Sequence, residues 1–136
     1  NVSDITENAL AAEEAGADAI SMINTLTGIA VDVNKRKMVL ANNTGGLSGP
    51  AVRPVALRMV WQSAKKVHIP IIGMGGIENG EDAAAFMICG AKAVMVGTAN
   101  FTDPFACPRI IRELDAYCDR QKVQRAQELV GTLAEY

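Results

Sequence analysis

The sequence has little of what several functional classes require. Only 4% of its 136 residues are aromatic, and 13 basic residues stand against 15 acidic ones, for a formal net charge of −2 at pH 7. This near-balance argues against a nucleic-acid-binding protein, which normally carries a basic face, and so few aromatic rings leave little material for stacking bases. With 49% hydrophobic and 21% charged residues, the composition excludes a disordered chain and is typical of a globular protein.

Long apolar runs and clusters of metal ligands are also missing. No apolar run approaches the ~18 residues of a membrane span, and the polar beginning of the sequence does not resemble a signal peptide. One histidine and three cysteines without a CxxC pair predict no metal site. We therefore expect a reduced, cytoplasmic protein that binds neither a membrane nor nucleic acid.

What the sequence does contain is an alternation of helical and strand patterns. Three short apolar runs predict strands, over 17–23, 69–74 and 92–96. Helical spacing and capping residues predict five helices: from Asp4 as the N-cap to Gly16, over 51–66, from Asn79 as the N-cap to Cys89, and roughly over 104–117 and 120–134. This alternation indicates parallel strands joined by helical crossovers, which is an α/β fold.

Two similar segments indicate the size of the repeating unit. AGADAI at 15–20 resembles CGAKAV at 89–94, and the spacing from Gly16 to Gly90 accommodates two strand–helix units. Eight units of that size would approach about 300 residues, the range of a (β/α)₈ barrel. Three strands cannot close a barrel, so the sequence predicts part of one. An open doubly wound sheet is the alternative, and it too would need more strands.

One connection is far longer than the others. It runs from Asn24 to Ala51, whereas a strand–helix loop usually has roughly 2–6 residues. Apolar runs at 29–33 and 37–40 flank a polar tip at 34–36 and predict an inserted β-hairpin. In a barrel, insertions at the carboxyl ends of the strands build the active site.

Two glycine-rich loops follow neighbouring predicted strands. The first contains Gly73, Gly75 and Gly76 and precedes a helix, and the second contains Gly97 and Thr98. Glycines let backbone N–H groups approach an anion, and a helix N-terminus adds a favourable dipole. The first loop is neither a dinucleotide fingerprint nor a P-loop. A tight turn would explain one glycine, but the pair of loops favours binding of a phosphate group.

Other residues allow two interpretations from the sequence. Asn24 and Thr25, after the first predicted strand, can hydrogen-bond a planar polar ligand or begin a turn. The segment 45–50 fits either a hinge or a close approach to a flat cofactor. A structural or surface role is favoured for His68 and a packed core position for Cys89, and the charges at 35–37 are expected at a solvated hairpin tip. No catalytic residue is predicted in this chain.

Four segments together resemble the dihydroorotate dehydrogenase family. They are INTLTGIAVD at 23–32, GGLSGPA at 45–51, IIGMGGI at 71–77 and VGTANF at 96–101. The first two resemble class IB, which passes electrons on to NAD. The resemblance implies an FMN-binding TIM (β/α)₈ barrel that oxidises (S)-dihydroorotate to orotate in pyrimidine biosynthesis. By that resemblance, residues 1–136 are one partial domain, the carboxyl-terminal part of the barrel from the helix after strand five onward.

The resemblance also implies roles for individual residues. Those that match substrate-binding positions are Asn24 and Thr25, and those that match FMN-contacting positions are Ile23 and Gly49 together with the phosphate loops, Gly75, Gly76, Gly97 and Thr98. The family's catalytic cysteine matches none of Cys89, Cys107 and Cys118, and its flavin-contacting lysine, in a Lys-x-x-Pro stretch, is expected just upstream of Asn1. The chain alone is therefore expected to be inactive.

Partners follow from the same resemblance. It implies a homodimer of the catalytic subunit and a second subunit that carries FAD and an iron–sulfur cluster. Two other interpretations stay open. The chain can be a half-barrel that binds a phosphate group or a partner without catalysis, or part of another FMN barrel such as a dihydropyrimidine dehydrogenase domain.

Overall fold

Helices and short strands alternate along the chain. The computed structural model describes residues 2–136. Its α-helices are α1 (Thr6–Glu14), α2 (Arg53–Ala64), α3 (Gly80–Ile88), α4 (Ala99–Thr102) and α5 (Ala106–Gln121), and two 3-10 turns lie at Pro50–Val52 and Ala126–Leu129. Its strands are β1 (Ile20–Met22), β2 (Leu26–Gly28), β3 (Val31–Asp32), β4 (Lys37–Met38), β5 (Gly45–Leu47), β6 (Ile71–Met74) and β7 (Ala93–Met95).

Three of these strands form a parallel sheet in the order β1-β6-β7. Ile20 pairs with Ile71 and Ile72 pairs with Ala93. The α/β class with three parallel strands is therefore confirmed, although each strand is shorter than the sequence predicts. Because the strands are parallel, their carboxyl ends meet at one edge of the sheet, and the loops that follow them lie side by side.

The core lies between the sheet and helices α2 and α3. Val60 of α2, Ile71 of β6 and Phe86 of α3 are all completely or almost completely buried. A Cβ atom on Gly73 would lie 2.6 Å from Cδ1 of Phe86, so this glycine lets β6 approach α3 closely. Gly73 therefore has a packing role in the core, whereas Gly75 and Gly76 lie beyond the end of β6.

Helix α3 begins where the sequence predicts. The side chain of Asn79 accepts a hydrogen bond from the backbone N–H of Asp82 at 2.9 Å, so the predicted N-cap is confirmed. Helix α1 begins at Thr6, and Ile5 occupies its N-cap position. Asp4 is therefore not the N-cap, although its carboxylate accepts hydrogen bonds from the backbone N–H and the hydroxyl of Thr6.

The helix predicted over 120–134 is wrong. Helix α5 continues to Gln121 and ends at Lys122, which has a left-handed backbone with φ +57°. The following residues form only the turn at Ala126–Leu129, whose Leu129 is buried against Met87 and Cys118. The backbone N–H of Gly131 donates to the carbonyl of Met87. Packing against α3 therefore overrides the helical pattern of this segment.

The long connection between β1 and α2 contains two antiparallel pairs. β3 pairs with β4 at the positions where the sequence predicts a hairpin, with Val31 opposite Met38. Closer to the sheet, β2 pairs with β5, with Leu26 opposite Leu47, and this second pair has no counterpart in the sequence prediction. None of the helices between residues 2 and 136 has the length and the apolar composition of a membrane span.

Candidate functional site

A cleft of about 160 Å³ lies at the carboxyl edge of the parallel sheet. It is formed by the loops after β1, β6 and β7 and by residues of the segment 48–52, which directly precedes α2. Its lining residues are Ile23, Asn24, Thr25, Ser48, Gly49, Val52, Met74, Gly75, Gly76, Met95, Val96, Gly97 and Thr98. All eight residues predicted from the sequence to bind a substrate or a cofactor are among them. The structure thus brings these residues together, and their individual roles remain predictions.

The loop after β6 is packed backbone against backbone. Gly75 and Gly76 have φ values of +127° and +80°, which L side chains rarely adopt. A Cβ atom on Gly76 would lie 2.6 Å from the carbonyl oxygen of Gly49 and 2.9 Å from Cβ of Arg53. Only glycine fits at position 76, because both the backbone angle and the neighbouring loop exclude a side chain.

The loop after β7 has more open surroundings. A Cβ atom on Gly97 would meet no atom within 4 Å. The loop is held from within, because the side-chain amide of Asn100 donates to the carbonyls of Val96 at 2.7 Å and Gly97 at 3.3 Å. Thr98 precedes α4 directly. A ligand can therefore approach the backbone of Gly97 without meeting a side chain there.

Asn24 and Thr25 lie at the end of β1, where both are exposed. The side-chain carbonyl of Asn24 accepts a hydrogen bond from the backbone N–H of Thr25 at 2.7 Å. Ile23, which is buried, donates its backbone N–H to the carbonyl of Met74 and ties this segment to β6. The two polar side chains thus border the cleft on a segment fixed to the sheet.

Two charged residues behind the loop of Gly76 were missed by the sequence reasoning. Nη1 of Arg53 lies 2.7 Å from Oδ2 of Asp82 and 3.3 Å from the carbonyl oxygen of Gly76. The same carboxylate oxygen accepts the backbone N–H of Glu78 at 3.0 Å. Acidic residues are common in the first turn of a helix, where they interact favourably with the helix dipole. The dipole alone would explain Asp82, so the sequence gives no reason to pair it with a residue of α2.

The cysteines lie away from the cleft. Cys118 is buried and Cys89 half-buried, and burial raises the pKa of both thiols, so neither is an activated thiolate. Cys107 is exposed on α5, where its thiol lies 3.4 Å from the side-chain oxygen of Asn100. Within residues 2–136, no group of three or more histidine, cysteine or acidic side chains could hold a metal ion.

His68 lies at the opposite end of β6 from the cleft. Its backbone N–H donates to the carboxylate of Glu13 at 2.7 Å, and the backbone N–H of Ile69 donates to the same oxygen at 2.9 Å. These two hydrogen bonds, the first above all, lower the pKa of Glu13. The backbone at His68 thus has a structural role, linking α1 to the entry of β6.

A cleft at the carboxyl edge of a parallel sheet, walled by glycine loops after adjacent strands, is typical of ligand-binding α/β proteins. The family model that matches this chain is dihydroorotate dehydrogenase, over residues 1–117. The chain belongs to the dihydroorotate dehydrogenase family.

Curated relatives narrow the comparison. Three proteins named dihydroorotate dehydrogenase B (NAD(+)), catalytic subunit, are similar to this chain. The one from Citrifermentans bemidjiense is 58% identical over 133 residues, which are 98% of this chain and 44% of the relative. Those from Halalkalibacterium halodurans and Desulforamulus reducens are 57% and 60% identical over 131 residues, 96% of this chain and 43% of each relative. The chain thus spans less than half the length of these relatives.

Proposed function

We propose that this chain is the FMN- and orotate-binding part of an NAD-linked dihydroorotate dehydrogenase, which oxidises (S)-dihydroorotate to orotate in pyrimidine biosynthesis. The single observation that carries the proposal is the cleft, because all eight residues matched to the family's binding positions line it. Relatives 54–60% identical to the chain bear the name of this enzyme, which supports the same conclusion.

The residues of the cleft fit the phosphate end of FMN. Gly75, Gly76 and Gly97 border the cleft without side chains of their own, and backbone of this kind can bring N–H groups to a phosphate. A cleft of about 160 Å³ is smaller than the roughly 300–1,000 Å³ of a complete ligand pocket. We therefore assign the phosphate-binding part of the FMN site to these two glycine loops. Some of the remaining FMN contacts would come from the rest of the enzyme.

The other residues of the cleft suit a flat, polar substrate. The amide of Asn24 and the hydroxyl of Thr25 offer both donors and acceptors, which match the alternating N–H and C=O groups of a pyrimidine ring. Ile23 and Gly49 would contact the flavin. Bound FMN would supply the hydride acceptor, while the protein orients the two reactants.

Proton removal needs a group that this cleft does not contain. Among the described residues, those that line it include no histidine, cysteine, acidic residue or lysine. A general base must lie within hydrogen-bond reach of the proton it removes, and the three cysteines of the chain lie elsewhere. We therefore propose that the base belongs to the rest of the enzyme and that residues 1–136 alone are inactive.

The incomplete sheet supports the same division. Within residues 2–136, β1 and β7 each pair with a neighbour on one side only, and further parallel strands on those edges would close a (β/α)₈ barrel. The chain would be its carboxyl-terminal part, with 24–51 as the inserted hairpin segment. The names of the relatives specify a catalytic subunit. We accordingly propose a cytoplasmic homodimer with a second subunit that carries FAD and an iron–sulfur cluster.

Flavin binding and flavin reduction test the proposal separately. The full-length polypeptide that carries this sequence, or residues 1–136 supplied with the amino-terminal part of a relative, should bind FMN and lose its flavin absorbance when dihydroorotate is added without oxygen. Residues 1–136 alone should not bleach the flavin.

Three outcomes would contradict parts of the proposal. Absence of FMN binding with the complementary part present would overturn the flavin assignment. Binding without bleaching would favour a non-catalytic phosphate-binding unit, and bleaching by dihydrouracil instead of dihydroorotate would favour the dihydropyrimidine dehydrogenase alternative.

A further inference from the structure

We propose that Arg53 is a positioning residue for the loop of Gly75 and Gly76, and that Asp82 is its anchor. The pair would hold the loop in the shape that binds the phosphate of FMN, and thus set the preference for FMN over the unphosphorylated flavin. This inference rests on the proposed function, because that function identifies the ligand of the loop.

Arg53 and Asp82 together hold two successive parts of the loop. Nη1 of Arg53 donates to the carbonyl of Gly76 at 3.3 Å and lies 2.7 Å from Oδ2 of Asp82. The same Oδ2 accepts the backbone N–H of Glu78 at 3.0 Å. A single carboxylate oxygen therefore joins the guanidinium group to the backbone just beyond the glycines. The side chain of Asp82 is only 12% exposed, so these interactions are partly shielded from water.

The loop needs such support because it is rich in glycine. Glycine loses more conformational freedom on ordering than any other residue, so a loop containing Gly75 and Gly76 has a large entropic cost of taking one shape. Anion binding by backbone groups is strongest when the groups are already oriented before the ligand arrives. Contacts made by Arg53 and Asp82 from α2 and α3 provide that order.

The charges of the pair also matter at this place. Asp82 puts a carboxylate next to a loop that would bind a phosphate, and two negative charges repel each other. Arg53 at 2.7 Å compensates this charge. Neither residue lines the cleft itself, so Arg53 would act through the loop and not as a direct ligand of the phosphate.

The affinities for FMN and riboflavin test the inference, because the two flavins differ only in the phosphate. The protein used is the full-length polypeptide that carries this sequence, stripped of flavin and titrated by fluorescence quenching. Wild-type protein should bind FMN more tightly than riboflavin. Arg53→Met should weaken FMN binding at least about tenfold and change riboflavin binding less than about twofold. Asp82→Ala should have the same selective effect.

Two further variants separate positioning from folding. Arg53→Lys keeps a cation near Asp82 and should recover most of the lost FMN preference, although lysine lacks the planar fork of arginine. Arg120→Met is the matched control, since it breaks an ion pair of similar length, 2.8 Å, that joins Arg120 of α5 to Glu81 at the start of the same helix α3. Its FMN-to-riboflavin ratio should equal that of the wild type.

The outcomes are distinguishable. An unchanged ratio in Arg53→Met would overturn the inference, and so would an equal loss of both flavins, which would mean that Arg53 only stabilises the fold. If the wild-type protein binds riboflavin as tightly as FMN, the proposed phosphate-binding site is itself wrong. This outcome requires only the wild-type protein, so it is distinguishable from a failure of the inference about Arg53.

Discussion

The two glycine loops of the cleft both follow predicted strands in the sequence, but they have different surroundings in the structure. A Cβ on Gly76 would lie 2.6 Å from the carbonyl oxygen of Gly49, and the carbonyl of Gly76 accepts a hydrogen bond from Arg53, which is itself paired with Asp82. Gly97 has no atom near the place where a Cβ would be, and the nearby Asn100 ties the loop only to its own backbone. The first loop is thus part of the packed fold, whereas the second is a surface that stays open.

This difference shows that one residue type is needed for two physical reasons. At position 76 a side chain is excluded by the protein, through the positive φ and the adjacent loop. At position 97 the protein leaves space, so we infer that a side chain is excluded by the ligand. Stability should respond to the first glycine, and ligand affinity should respond to both.

Gly76→Ala should have the largest effect. The added Cβ would lie 2.6 Å from the carbonyl oxygen of Gly49, and alanine disfavours a φ of +80°. Strained backbone and overpacking together should lower the free energy of unfolding by about 3 kcal/mol. Urea unfolding followed by circular dichroism measures this. A loss of less than about 1 kcal/mol would mean that the loop of Gly76 can move away from the backbone of Gly49 at little cost. The contrast between Gly76 and Gly97 would then disappear.

Asn100→Ala should have an intermediate effect. The variant loses the amide hydrogen bonds to the carbonyls of Val96 and Gly97, and an exposed network of this kind contributes about 1 kcal/mol. FMN affinity should fall as well, because the loop after β7 would lose the side-chain hydrogen bonds that hold Val96 and Gly97 and would become less ordered.

Cys107→Ala is the matched control for that variant. It removes a weak thiol contact of 3.4 Å to the same Asn100 side chain and leaves the amide donors in place. Urea unfolding should give about the wild-type stability. If both variants destabilise the protein equally, the amide hydrogen bonds are not what holds this loop.

The position of the cleft could be predicted from the sequence, whereas the difference between its loops could not. Short apolar runs followed by glycines place both loops at the carboxyl ends of adjacent parallel strands, and local patterns are sufficient for that. The contact of Gly76 with Gly49 and the ion pair of Arg53 with Asp82 join residues far apart in the chain. No local pattern encodes such pairs, so the reasoning from the sequence missed them.

The same limit explains the errors in the fold. The predicted helix over 120–134 has helical spacing, but the burial of Leu129 against α3 holds that segment in another shape. The pairing of β2 with β5 was missed because Gly45 and Gly46 are poor strand formers. There, a Cβ on Gly46 would lie 2.6 Å from Cβ of Thr25, so the glycine leaves room for the side chain that precedes β2.

Gly97→Ala should change stability little and ligand affinity more. The site is open and its φ is not in the left-handed region, so alanine should change the free energy of unfolding by less than about 1 kcal/mol, in the stabilising direction if at all. FMN should bind more weakly, because the methyl group would keep the phosphate from the backbone. Unfolding and FMN titration of the same preparation measure both. A large loss of stability would show that Gly97, like Gly76, is required by the fold.

The smallest effect should appear in the dependence of stability on pH. Arg109 links the flanks of the two loops, since it donates to the carbonyl of Glu78 beyond the first and pairs with Asp103 beyond the second. It also pairs with Glu113. The pKa of Asp103 is lowered mainly by the hydrogen bond from the backbone N–H of Phe105 and secondly by Arg109. The pKa of Glu113 is lowered mainly by Arg109 and secondly by the hydrogen bond from the backbone N–H of Gly80.

A lowered carboxyl pKa makes folding favourable at higher pH. The stabilisation is fully present above the ordinary carboxyl pKa of about 4 and is lost as pH falls through the lower value of the folded state. In the wild type, the urea concentration at the unfolding midpoint should therefore decrease as the pH is lowered below about 4. The decrease should be less steep in Arg109→Met, which retains the backbone hydrogen bonds to the carboxylates but loses the ion pairs. Identical slopes would mean that the ion pairs of Arg109 contribute nothing to the pH dependence.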